Sequence, residues 1–89
     1  MNDFATQLQT HLEAMPQRSP SDDAILGILT APDSPRKKRQ LKRMERHARR
    51  HLGFNDKEKV DWATQIDWTK VLSTILQILA AILPLLLLL

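Results

Sequence analysis

The sequence predicts an all-α chain of short amphipathic helices and a basic helix, followed by one C-terminal transmembrane helix able to self-associate, with little independent globular core. Three observations carry this. Apolar residues in the first half recur at spacings of three and four. Nine of the thirteen Lys and Arg residues fall between Arg36 and Arg50. Residues 71–89 hold nine Leu, three Ile, one Val and two Ala, with Ser73, Thr74, Gln77 and Pro84 as the only others and no charge. The seventy residues before that tail are polar, with two Phe, two Trp and scattered aliphatics, which is little material for an autonomous core.

Residues 1–32 read as two short helices. Asn2 or Asp3 can cap the first, Phe4, Leu8, Leu12 and Met15 fall on one face, and Pro16 stops it. The residues from Gln17 to Pro20 read as a turn, after which Ser21 can cap a second helix with Asp22 and Asp23 in its first turn, where the helix dipole favours negative charge. Its apolar run ends before Pro32, and Gly27 weakens it by about 1 kcal/mol relative to Ala. Phe4, Leu8, Leu12, Ile25 and Leu29 are the expected docking residues for another structural protein.

Residues 33–53 form the basic helix. Ser34 is its N-cap, Pro35 takes the first helical position, and Gly53 stands where a left-handed C-terminal cap belongs. Leu41, Met44, Ala48 and Leu52 draw a narrow apolar stripe, and Arg36, Lys37, Lys38, Arg39, Lys42, Arg43, Arg46, Arg49 and Arg50 cover the rest against one acid, Glu45. Outside this segment the chain is acidic, with four basic and nine acidic residues, so the expected partner of the basic run is a phosphate polyanion. Nucleic acid and anionic lipid headgroups both satisfy that chemistry. The stripe is too narrow for deep insertion of this helix into lipid. A solvated helix that merely enforces topology is the plainer alternative. Residues 54–67 are a mixed-charge connector, loop or helical lead-in.

Residues 68–89 are the expected membrane helix. Nineteen uncharged residues at about 1.5 Å each give about 28 Å, close to the hydrocarbon thickness of a bilayer. Trp62 and Trp68 precede the span at headgroup level, Lys70 can reach back to phosphates, and Asp67 can cap the helix. All thirteen basic residues lie N-terminal to the span, so the expected topology is single-pass and tail-anchored, with the N-terminal region on the cytoplasmic or virion-interior side. Leu72, Ile75, Leu79, Ile82 and Leu86, flanked by Trp68 and Leu89, follow a heptad seam that supports self-association in water or lipid, but a water-soluble bundle would carry charges at the outward positions, which here are Ile78, Ala80, Leu83, Leu85, Leu87 and Leu88. Pro84 removes the donor for the carbonyl of Ala80.

Several chemistries have no sequence basis. Cysteine is absent, which excludes disulfide and thiolate-metal architectures. His47 and His51 share a helical face, but Ala48 stands where a zincin has Glu, and neighbouring arginines disfavour another dication. There is no Gly-rich phosphate loop or nucleophile elbow, and no cofactor, resident metal or catalytic activity is expected. The N-terminus shows no cleavable signal peptide. The expectation is therefore a non-enzymatic, membrane-anchored structural protein binding polyanions, a suitable many-copy component of a lipid-containing virion joining membrane to genome or capsid. Two rivals stand beside it: a holin- or viroporin-like pore former, and a soluble assembly component whose apolar tail is buried in a protein shell.

Overall fold

Each helix starts and stops where backbone chemistry requires. A computed structural model describes residues 3–54 and 68–88 of the chain, and within them lie four helices: α1 (Asp3–Ala14), α2 (Pro20–Thr30), α3 (Pro35–His51) and α4 (Trp68–Leu87). The second helix corrects the sequence expectation, because Ser19 rather than Ser21 caps it. Ser19 Oγ accepts from the backbone N–H of Asp22 at 3.1 Å, and Asp22 Oδ2 accepts in return from the N–H of Ser19 at 3.3 Å, a closed capping box. Pro20, read as part of a turn, occupies the first helical position, where its missing donor costs nothing.

One side chain ties the first two helices together. Arg18 donates from Nη1 to the carbonyl of Leu12 at 3.1 Å, near the end of α1, and pairs through Nε with Asp23 Oδ1 at 2.8 Å in the first turn of α2. Each end of that bridge sits where the helix dipole favours the charge it meets.

The basic helix forms as its caps require. Ser34 Oγ accepts from the N–H of Lys37 at 3.1 Å, with Pro35 as the first helical residue. At the other end Gly53 takes φ 85°, Phe54 N–H donates to the carbonyl of Arg49 at 2.9 Å, and Gly53 N–H donates to that of Arg50 at 3.1 Å. This is a Schellman termination, and the positive φ explains the glycine.

The four helices share one core. Phe4, Leu8 and Leu12 from α1, Ile25, Ile28 and Leu29 from α2, Met44 and Ala48 from α3, and Leu72, Ile75, Leu76, Leu79 and Leu86 from α4 are all buried in one cluster. The sequence predicts little independent core for the first seventy residues by themselves, and here α4 completes the cluster. The difference has a physical source: each helical stripe is too narrow to make a core alone, and the seam of the apolar tail supplies the surface the other three lack.

α4 is the central element, packing on α1, α2 and α3 alike. Its stretch Thr69–Leu87, 19 residues with a mean hydropathy of 2.1, is long and apolar enough to cross a membrane by length and composition. Only 28% of that stretch is buried, which separates it from a helix wrapped on all sides by protein.

Candidate phosphate-binding face and the end of α4

The faces of α3 divide by chemistry. Gln40, Met44 and Ala48, spaced by one helical turn, are buried, and Leu41 and Leu52 pack at the margin of the core. Lys38, Arg39, Lys42, Arg46 and Arg50 are exposed around the rest of the helix, and Arg36 is exposed at the edge of the buried stripe, one turn from Gln40. Lys37, Arg43 and Arg49 are half-buried. From Arg36 to Arg50 the helix advances about 21 Å, so the cations form an elongated face rather than a point site.

Packing α3 on the core leaves Lys38, Arg39, Lys42, Arg46 and Arg50 exposed to water. Arg39, Lys42, Arg43 and Arg46 line one shallow groove along the helix. Lys37 is partly occupied, donating to the carbonyl of Ala31 at 2.6 Å and lying 3.5 Å from Asp33. Burial, and after it the charges of Arg50, Arg43 and Arg46, lower the pKa of His47 below its usual 6.5.

The start of α3 meets the end of α4. Arg36 Nη2 donates to the carbonyl of Leu87 at 2.8 Å, and Gln40 Nε2 donates to that of Leu86 at 3.1 Å. Both carbonyls belong to the last turn, where no intrahelical donor remains, and the guanidinium lies at the negative end of the dipole. Gln40 is the buried polar residue of the core among the described residues, and sequence reasoning passed over it. Its signal was available: it is the uncharged amide in a run of cations and lies in register with Met44 and Ala48.

The structure moves two sets of expected contacts. Phe4, Leu8, Leu12, Ile25 and Leu29, expected to dock another protein, are buried in the chain's own core. Leu72, Ile75, Leu79 and Leu86, expected to face lipid, are buried in the same cluster, and Ile82 is half-buried beside it. The reason is complementarity: the apolar seams of α1–α3 and α4 remove one another from water. Lys70 is exposed as expected. Trp62 and Asp67 lie outside the described residues, as do most of the connector and the side chain of Trp68.

The outward side of α4 carries its polar residues. Lys70, Ser73, Thr74 and Gln77 are exposed, followed by Ala81 and Pro84. Ser73 Oγ donates to the carbonyl of Thr69 at 2.9 Å and Thr74 Oγ1 to that of Lys70 at 3.1 Å, so both hydroxyls are satisfied within their own helix. Among the described residues no group of three or more His, Asp or Glu side chains is placed to hold a metal ion.

Comparison with protein-family models, with curated proteins and with solved structures finds no match to this chain.

Proposed function

We propose that this chain is a non-enzymatic, membrane-associated interaction protein in which α3 binds phosphate polyanions and α4 is the element that meets lipid. The exposure of six cations on α3, outside the buried stripe of Gln40, Met44 and Ala48, carries the first half of this reading. The length and apolarity of Thr69–Leu87 support the second. In the spanning form α4 would cross once, with the cationic region held on the cytoplasmic or virion-interior side. A lipid-containing virion needs such a link between membrane and genome or capsid; that setting is suggested by architecture alone.

Insertion and the closed bundle compete for the same side chains. Thirteen Leu, Ile and Val residues favour the bilayer by about 4–8 kcal/mol before the costs of Gln77, Pro84 and the polar hydroxyls. Burying five aliphatic side chains of α4 in the bundle is worth about 8–15 kcal/mol before the entropy of ordering the helices. The two terms are of the same order of magnitude, and because they draw on the same side chains a spanning α4 requires α1–α3 to open.

The outward polar stripe of α4 favours a second reading, a soluble component that buries its own tail. Carbonate extraction separates the two. The membrane reading expects the full chain to stay with the pellet, and release into the supernatant would reject an integral helix. A pore-forming reading has less support, because Ser73 and Gln77 lie on the outward face but give way to Ala81, Pro84 and Leu88 farther along. Intact dye-loaded vesicles at high protein loading would dismiss it.

Titration of the full chain with a polynucleotide over a range of salt concentrations tests the phosphate reading. Five or six phosphate contacts predict a log–log slope of about −4.5 to −5.5 on duplex DNA. No detectable affinity at low salt would overturn it.

A further inference from the structure

We infer that the end of the bundle where α3 starts and α4 stops is a docking surface for an anionic bilayer, used while the bundle remains closed. The inference rests on the membrane and phosphate readings above and specifies where contact is made. Residues 36 and 87 are 51 positions apart in the chain, so only the fold brings this surface together.

Three observations meet there. Leu85, Leu87 and Leu88 are 54%, 50% and 82% exposed, the exposed large apolar side chains among the described residues. Arg36 is fixed beside them by its 2.8 Å bond to the carbonyl of Leu87, and Arg39 stands one turn farther along α3, also exposed. Between α2, α3 and Leu87 opens a cleft of about 380 Å³, with Ala24, Ile28 and Ala31 on its walls and Arg36 and Lys37 at its edge. At its side Gly27 has nothing within 4 Å of the position a Cβ would take.

Leucines that enter the headgroup–acyl boundary, with cations at the phosphate level, match the layered chemistry of an anionic bilayer. A polynucleotide offers phosphate but no hydrocarbon layer for the leucines. A protein partner would have to supply both an apolar patch and several acids. Asp33 opposes the assignment locally, and it is partly neutralised by Lys37 at 3.5 Å. The last-turn carbonyls of Leu86 and Leu87 already accept from Gln40 and Arg36, so their contact with the boundary leaves fewer backbone groups unpaired.

The absence of cysteine permits an unambiguous test with the full chain. Leu88→Cys and Gln77→Cys variants each carry one polarity-sensitive fluorophore, the first at the tip and the second on the outward stripe of α4. Both are mixed with vesicles of phosphatidylcholine, with and without phosphatidylglycerol. The expected result is a blue shift at position 88 on the anionic vesicles only, with position 77 still in water. Arg39→Gln, which leaves the Arg36–Leu87 bond in place, should weaken binding about fivefold, the equivalent of about 1 kcal/mol for one cation.

Shifts at both positions would mean that α4 has inserted along its length, which overturns closed-bundle docking while sparing the spanning form. An equal shift at position 88 on neutral vesicles would overturn the role of charge. No shift at either position would overturn the surface itself, while phosphate binding by α3 would still be decided by the polynucleotide titration.

Discussion

His47 is neutral more readily than a free histidine because burial and then Arg50, Arg43 and Arg46 oppose its protonation. Its unfolded pKa is near 6.5 and its folded pKa is lower. The unfolded chain therefore binds more protons across that interval, so the stability this residue contributes is complete above 6.5 and is lost as pH falls through the folded value. Melting temperature should drop on acidification below pH 6.5, and His47→Gln should flatten that part of the profile. An unchanged profile in the variant would remove His47 as the cause. Gly27 offers a test of opposite sign. It lies inside α2, and a Cβ there meets no neighbour, so Gly27→Ala should stabilise the fold by about 0.5–1 kcal/mol in chemical denaturation. Residue-scale features that depend on local sequence are readable in advance. Ser34, Pro35 and Gly53 stand where their backbone roles place them. Ser19 is also readable, through its Ser-x-x-Asp box, but placing Pro20 in the turn moves the expected cap to Ser21, two residues too late.

At the scale of the element, α3 is a helix that works against itself. Lys38 and Lys42, Arg39 and Arg43, Lys42 and Arg46, and Arg46 and Arg50 are like-charged neighbours one turn apart, each pair costing about 0.2–0.5 kcal/mol in an isolated helix. Its two good caps and its seam on the core offset that repulsion. Salt should therefore raise the melting temperature of the full chain, since screening relieves repulsion more than it weakens the few surface pairs. A melting temperature that falls with salt would mean that ion pairs, rather than apolar packing, hold α3 in place. For α4 the sequence showed the seam but not its partner. Leu72, Ile75, Leu79 and Leu86 repeat in the same way whether they face lipid, a second copy or the chain's own helices. Periodicity defines a face, and only the tertiary arrangement decides what covers it.

The whole molecule is organised by a division of surface. Apolar seams turn inward around α4, cations turn outward from α3, and the exposed leucines collect at the end where Arg36 and Gln40 meet the last turn of α4. The outward cations were legible because charge and the stripe containing Met44 and Ala48 alternate around one helix. The meeting of α3 with α4 was not, because it joins side chains and carbonyls 46 and 51 residues apart that have no local signal. The same five aliphatic side chains of α4 serve the core in water and would face lipid in a spanning form, so the state of this packing governs every functional reading. Its most direct test is amide hydrogen exchange of the full chain in water, wild type against Ile75→Ala. Ile75 is fully buried, and truncation should cost about 2–4 kcal/mol. If α4 and α3 share one core, the amides of Met44 and Ala48 should exchange about 30- to 1000-fold faster in the variant. Unchanged exchange in α3 would show that α4 does not hold the bundle together, and would contradict the account.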